Sequence, residues 1–515
     1  MLGGMSRSAG LWLLLSLALL VAGLGAARRA LTPRAAGDTV QADVSGVARA
    51  TGSGQPPRAP AAGSSGGEPK GPLRYLAIGG GSTPESTEIS LEQNLALARD
   101  TLPGPGRLLF AGGEGSLSVR ALRDDAPSDA LLVQLGDLFS PRNGRDSRYQ
   151  ATALHARAAS AKVVEAELAR AFADGDAPLL VYVAAHGEQG DTARENSVVL
   201  WGGRALSVTR LAELHDAHPR RPLRLLSASC YSGGFAELIW NGADEKEGVA
   251  RAPRCGLFAG TWDRQTSGCD PDPDRRKQEG YSLHVLQALR GRDRDGAALP
   301  LRELDFDGDG RVSLLEAHAH AAIAAQSIDV PTTTSERYLR AVETRSAAPD
   351  PALVPEEAAV AARLGAELGL STPAAVRARW DELDARLRAL DDKFDAADDA
   401  ADRAYAELSG RLLARWPVLD DAFHPDFAAT LQKDRAAIAN ALSSWPEAQR
   451  YDAAQGDLDE IDQRRQRVEV EEALVTRLLR AHETLGLASA LHARGGEAWA
   501  HYRALLACER FVPIP

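Results

Sequence analysis

Apolar residues fall along this chain in two rhythms, and the change between them comes near Pro355. Before it, short unbroken apolar runs alternate with stretches whose apolar residues recur at helical spacing. Leu73–Ile78, Leu179–Ala185, Leu223–Ser229 and Gly256–Thr261 are runs of strand length, the signature of strands buried on both faces. Asp129–Leu135 and Ser197–Trp201 read as two more strands. Ser90–Leu102, Thr152–Phe172, Val208–Ala217 and Tyr281–Leu289 read as helices. Strands alternating with helices predict an α/β fold, with a mostly parallel sheet covered on both faces.

After Pro355 the rhythm becomes purely helical. Thr372-Pro373 is a cap followed by a first-turn proline. Val376, Trp380, Leu383, Leu387, Leu390, Phe394, Ala397, Ala401, Tyr405, Leu408 and Leu412 then recur at spacings of four and three, up to Trp416-Pro417. Ile461, Val468 and Val475 mark a second long helix around 458–485, with shorter helices near 425–443 and 488–508. An antiparallel helical hairpin or small bundle over 355–515 accounts for the pattern.

The 515 residues exceed one domain, and the formal charge of −12 with no basic block argues against nucleic acid as a partner. Arg7, the apolar stretch from Ala9 to Ala27 and Arg28-Arg29 form a leader over 1–30, either a cleaved signal peptide or an uncleaved membrane anchor. Both readings export the body of the protein to the periplasm or beyond the cell, and membrane contact requires the uncleaved form. Residues 31–72 are rich in Ala, Gly, Pro and Ser and read as a disordered linker. The α/β region is expected to form a domain over 73–300, followed by a loop with its helix over 301–325 and a linker over 326–354. Gly79-Gly80-Gly81 lacks the spacing of a phosphate loop and reads instead as a turn walling a cleft.

Two of the apolar runs carry chemistry at their ends. Leu179–Ala185 leads into His186-Gly187, and Leu223–Ser229 leads into Cys230-Tyr231-Ser232-Gly233-Gly234. Reactive groups gather at the carboxyl ends of strands in such sheets. A cysteine attacks as its thiolate, and an imidazole beside it favours that form and protonates the leaving amine. Backbone N–H groups of Gly187 and Cys230 would form the oxyanion hole, and the glycines let substrate approach closely. The other cysteines are Cys255, Cys269 and Cys508. Export permits a disulfide, and a nucleophile must stay reduced. That leaves Cys255–Cys269 as the natural pair, or else two separate thiols, with Cys508 over.

The blocks LLVYVAAHG and LRLLSASCYSGGF resemble the histidine and cysteine blocks of the caspase–legumain cysteine peptidases. The resemblance continues through Cys255–Thr261 and Asp263–Cys269, which is similar to the strand and pocket loop of bacterial legumain-like peptidases, and spans about 73–290. It implies a caspase-like three-layer α/β/α sandwich. It also implies Cys230 as nucleophile and His186 as acid/base, acting as a dyad through a thioester and with no cofactor. Thr261, Asp263, Arg264 and Ser267 fall where the specificity pocket should lie. Ala228 departs from the acidic residue that relatives preferring asparagine or basic residues carry two positions before the cysteine. That departure leaves the preference at the cleaved residue open.

Asp305–Glu316 matches the EF-hand loop at every ligand position. Asp305, Asp307 and Asp309 supply oxygens at positions one, three and five, the Arg311 carbonyl at seven, Ser313 at nine and Glu316 at twelve, with Gly310 at the sharp turn. The exiting helix over 314–323 is convincing, whereas 301–304 is barely a turn. A structural Ca2+ is expected there.

The sequence therefore predicts an exported cysteine endopeptidase acting on peptide or protein substrates. Two alternatives stand beside it. One is a catalytically silent scaffold; the other is a calcium-dependent envelope adaptor that binds a partner, or itself, through 355–515.

Overall fold

The computed structural model describes residues 72–123, 129–139 and 147–513. The expected leader (1–30) and nearly all of the expected linker (31–72) lie outside them. Six strands form the main sheet: β1 (Tyr75–Gly80), β2 (Gly106–Phe110), β3 (Leu179–Ala185), β4 (Leu223–Ser227), β5 (Arg254–Phe258) and β6 (Thr332–Thr333), in the order β6-β5-β4-β3-β1-β2. Every pairing is parallel except that of β6 with β5. All seven residues of β3 are buried, which is why its sequence runs apolar without alternating.

Helices cover both faces. On one, α3 (Ala161–Ala173) and α4 (Val208–Asp216) pack Val164, Leu168, Phe172, Val208 and Leu211 onto Leu76, Ile78, Val181 and Leu225. On the other lie α1 (Ile89–Thr101), α5 (Tyr281–Arg290) and α6 (Leu314–Ala324), against Ala77, Tyr182, Leu226 and Leu257. Strand order reverses between β1 and β3, so a crevice opens there beyond the carboxyl ends.

Three expected elements differ. Asp129–Leu135, read as a strand, belongs to a helix, α2 (Ala130–Phe139). Its Leu131, Leu135 and Leu138, spaced four and three apart, pack with Leu408, Leu412, Trp416 and Ile438 far along the chain. Of Thr152–Phe172, only α3 is helical; the chain before it pairs as a strand, Ser147–Ala151, with Leu117–Leu122. The expected linker 326–354 instead supplies β6 and the helix α7 (Thr334–Val342), which is capped by the Thr333 hydroxyl.

The remainder is helical: α8 (Pro355–Leu368), α9 (Pro373–Arg415), α10 (Phe427–Ser444), α11 (Pro446–Arg494) and α12 (Gly496–Glu509). The Thr372 side chain caps α9 by accepting from the Ala375 N–H, and Pro373 occupies its first turn. The long helices α9 and α11 run antiparallel, as the ion pairs Arg379–Glu471 near one end and Arg411–Glu447 near the other require. Val376, Leu383, Leu390, Val468 and Val475 are buried in the same core as the sheet, so the helical region is built onto the α/β region rather than tethered to it. No helix among the described residues is long and apolar enough to cross a membrane.

The expected Cys255–Cys269 bridge is not formed; Cys255 pairs with Cys508, with Cα atoms 6.1 Å apart. Cys255 lies early in β5, where α12 packs on the strand, whereas Cys269 sits in the loop beyond the opposite, carboxyl end. Cys230 and Cys269 are the free thiols.

Candidate active site

The register of β3 and β4 places the two reactive side chains. Val183 pairs with Ser227, so His186 and Cys230 each stand three residues further on (186 − 183 and 230 − 227), on adjacent strands at one level. Gly187 lies directly against the Cys230 turn: a Cβ there would come within 2.0 Å of the Cys230 carbonyl oxygen, so no larger residue fits. After Cys230 the chain turns through Tyr231 in the left-handed region (φ 58°), an uncommon conformation for a non-glycine residue, and enters a short helix over Ser232–Ile239. That turn is tied on two sides. The Tyr231 N–H donates to the Arg264 carbonyl (2.7 Å), and the buried Asn196 amide donates to the carbonyls of Tyr231 (2.9 Å) and Trp262 (2.7 Å).

His186 has a carboxylate partner that the sequence reading did not nominate. Its Nε2 lies 2.8 Å from the Ser86 carbonyl and 3.0 Å from Glu88 Oε2. A carbonyl only accepts, so Nε2 carries a proton, and Nδ1 faces the Cys269 thiol. Glu88 is buried, and its other oxygen accepts from Arg120 at 2.7 Å. Burial alone pulls the His186 imidazole down. Hydrogen bonds and charge from Cys269 and Glu88 outweigh it and raise the imidazole to about 11. Burial likewise pushes Glu88 up, but His186 and Arg120 reverse that and hold its carboxyl below the usual range. Nothing in the local sequence marks Glu88, because its histidine lies almost a hundred residues further on.

The loop from Thr261 to Cys269 contacts both groups, which stay half-exposed. The Thr266 N–H points at Cys230 Sγ (3.3 Å), and Cys269 Sγ lies 3.7 Å from His186 Nδ1. The four expected pocket residues separate. Thr261, Asp263 and Arg264 line a cavity of about 510 Å³ that reaches Gly233, Arg337 and Arg480. Ser267 is not among its walls, and its N–H donates to the buried Asp329 carboxylate at 2.6 Å. The Thr261 hydroxyl donates to Asp263 (2.7 Å), and Arg264 is held by Glu472 of α11.

In the acidic loop, the carboxylates of Asp305, Asp307 and Asp309 each bring an oxygen within 4.8 Å of the others. Gly308 and Gly310 turn the chain with positive φ. Asp305 Oδ1 is buried without a hydrogen-bond partner. Glu316 accepts instead from the N–H groups of Phe306 (2.7 Å) and Ser313 (2.8 Å), and the Ser313 hydroxyl caps α6. His318, just beyond, is a packing residue that meets the Tyr281 hydroxyl at 2.7 Å.

The fold is thus an α/β region with a mostly parallel six-stranded sheet, continued by an all-helical region, with a cysteine and a histidine at the carboxyl ends of neighbouring strands. Neither a family model nor a curated protein matches the sequence.

Proposed function

We propose that the chain is an exported cysteine endopeptidase of the caspase–legumain type, its α/β region a caspase-like three-layer sandwich. The observation that carries this reading is the equal register of His186 and Cys230 on β3 and β4, with Nε2 of His186 already held by Ser86 and Glu88. In the reaction, the Cys230 thiolate adds to the scissile carbonyl carbon, and the developing oxyanion is met by the N–H groups of Gly187 and Cys230. Protonated His186 then gives its Nδ1 proton to the amine as the C–N bond breaks, leaving a thioester. Water, deprotonated by Nδ1, hydrolyses that thioester and restores the thiolate beside the protonated imidazole. Glu88 stabilises the imidazolium from the Nε2 side without touching the reacting atoms, which makes it a positioning residue.

The Cys255–Cys508 disulfide supports export, since such bonds persist in oxidising compartments. Peptide or protein is the substrate class. Cleavage of a peptide library by the wild-type chain, and none by Cys230→Ala, tests the reading and defines the preferred residue.

One observation favours a second reading, the silent scaffold. Thr266 and Cys269 already contact Cys230 and His186, so the atoms that would meet a substrate have partners within the chain. In that case a partner binds the helical region and no peptide is cut.

The acidic loop is proposed as a structural Ca2+ site. Asp305, Asp307 and Asp309 would hold the ion with the Arg311 carbonyl and Ser313, and the buried Asp305 Oδ1, which has no hydrogen-bond partner, suits a cation ligand. Glu316 would reach the ion by leaving its bonds to Phe306 and Ser313. The ion would fix the turn that leads into α6, and it takes no part in peptide cleavage.

A further inference from the structure

Three side chains with three different donor elements converge at the crevice. Glu88, His186 and Cys269 each present one ligand atom, and these atoms lie within 4.8 Å of one another. An oxygen, nitrogen and sulfur set suits a borderline ion of the zinc class; Ca2+ and Mg2+ take oxygen ligands. Distances agree. His186 Nδ1 and Cys269 Sγ are 3.7 Å apart. A tetrahedral Zn2+, with bonds of about 2.0 Å to nitrogen and about 2.3 Å to sulfur, separates such a pair by about 3.5 Å. The two atoms need close by only a few tenths of an ångström to share one ion.

The surroundings are also those of a metal-binding histidine. Nε2 is anchored by the Ser86 carbonyl, which fixes the ring with Nδ1 towards Cys269; Glu88 Oε2, now bonded to Nε2, would exchange that bond for the ion. Arg120 holds the other Glu88 oxygen, which leaves Oε2 as the one that would turn to the ion. The Cys255–Cys508 bridge removes the other two cysteines from consideration, leaving Cys269 as the thiol in contact with the ring.

We propose that Glu88, His186 and Cys269 form a binding site for a zinc-class divalent cation across the mouth of the dyad. On binding, the Cys269 thiol and the His186 Nδ1 each release a proton to solvent as the metal–sulfur and metal–nitrogen bonds form, with the fourth position open to water. Metal binding itself does not depend on the peptidase reading; only its consequence does, since an ion on Nδ1 withdraws His186 from proton transfer.

Titration of the full chain with Co2+, read by the thiolate-to-cobalt absorption band and by displacement with Zn2+, tests the site. One equivalent is expected to give the band. Cys269→Ser is expected to remove it and weaken Zn2+ binding at least tenfold, while Cys230→Ala keeps both. In the wild-type chain, Zn2+ should protect Cys269 from alkylation, a readout by peptide mass spectrometry that needs no variant. Absence of a thiolate band, or a band that survives Cys269→Ser and disappears in Cys230→Ala, overturns the site. Co2+ held by the acidic loop alone gives no thiolate band. A chain with no peptidase activity can still pass this test, so the two claims fail separately.

Discussion

Arg264 and Glu472 join the loop beside Cys230 to the long helix α11: the Arg264 Nη2 lies 2.7 and 2.8 Å from the two carboxylate oxygens. Glu472 is buried and also accepts from the Trp380 indole and the Thr476 hydroxyl, so it stands in a fixed place. At the other end of the same residue, the Arg264 carbonyl receives the Tyr231 N–H. One residue therefore carries the helical region's grip to the turn that bears the nucleophile.

Loosening that grip should expose the half-buried Cys230 thiol further. Glu472→Gln removes the charge that holds the half-buried Arg264 guanidinium, so the loop from Thr261 to Cys269 opens more often. Alkylation of Cys230 by iodoacetamide, followed by mass spectrometry, should quicken several-fold over wild type. An unchanged rate would mean that the helical region does not hold the loop closed.

The disulfide gives a test of stability. Cys255 and Cys508 are 253 positions apart, and a link across so long a loop stabilises by roughly 2–5 kcal/mol. Cys508→Ser, or reduction of the wild type, should lower the melting temperature by several degrees. Cys269→Ser should leave the melting temperature nearly unchanged, and a peptide pairing Cys255 with Cys269 would contradict the structure.

The acidic loop gives a test by ion removal. Asp305, Asp307 and Asp309 repel one another without a cation, so a chelator should lower the melting temperature and added Ca2+ should restore it. Glu316→Gln should reproduce part of the loss and blunt the response to Ca2+. Identical melts with chelator and with Ca2+ would rule the ion out.

Acid should weaken the fold through His215. Burial is the main cause that lowers its imidazole to about 4, with the nearby Arg254 charge adding to it; its Nε2–H donates to the Arg221 carbonyl at 2.7 Å. The folded group stays neutral while the unfolded one takes up a proton below its ordinary value near 6.5. Stability is therefore full above that value and falls as pH drops towards 4. The expected loss is about 1.4 kcal/mol per pH unit across that window, ~3 kcal/mol in all. Urea unfolding at a series of pH values measures it, and His215→Gln should flatten the slope in this window.

How much of the fold was legible in the sequence depends on how local each cause is. The runs that became β1, β3, β4 and β5 are apolar because both of their faces are covered, and that shows in the residues themselves. Thr372-Pro373 starts α9 by chemistry contained within one turn. Residues 130–139 misled because an apolar run of that length suits strand or helix, and the deciding partners, Leu408, Leu412 and Trp416, lie far along the chain. Glu88 and Cys508 were missed for the same reason. Each acts through one partner, His186 or Cys255, that only the fold brings near. The pocket residues were placed by likeness to other proteins, and here α11 claims Arg264 while Asp329 claims the Ser267 amide.

The reactivity of Cys230 is the most direct test of a Cys230–His186 peptidase. An electrophilic peptide probe incubated with the full chain at neutral pH should label Cys230 and no other cysteine. His186→Ala should suppress that labelling at least a hundredfold, and Glu88→Gln should reduce it less. Labelling absent from Cys230 with and without Ca2+ and with chelator present, or equally fast in His186→Ala, would contradict the dyad.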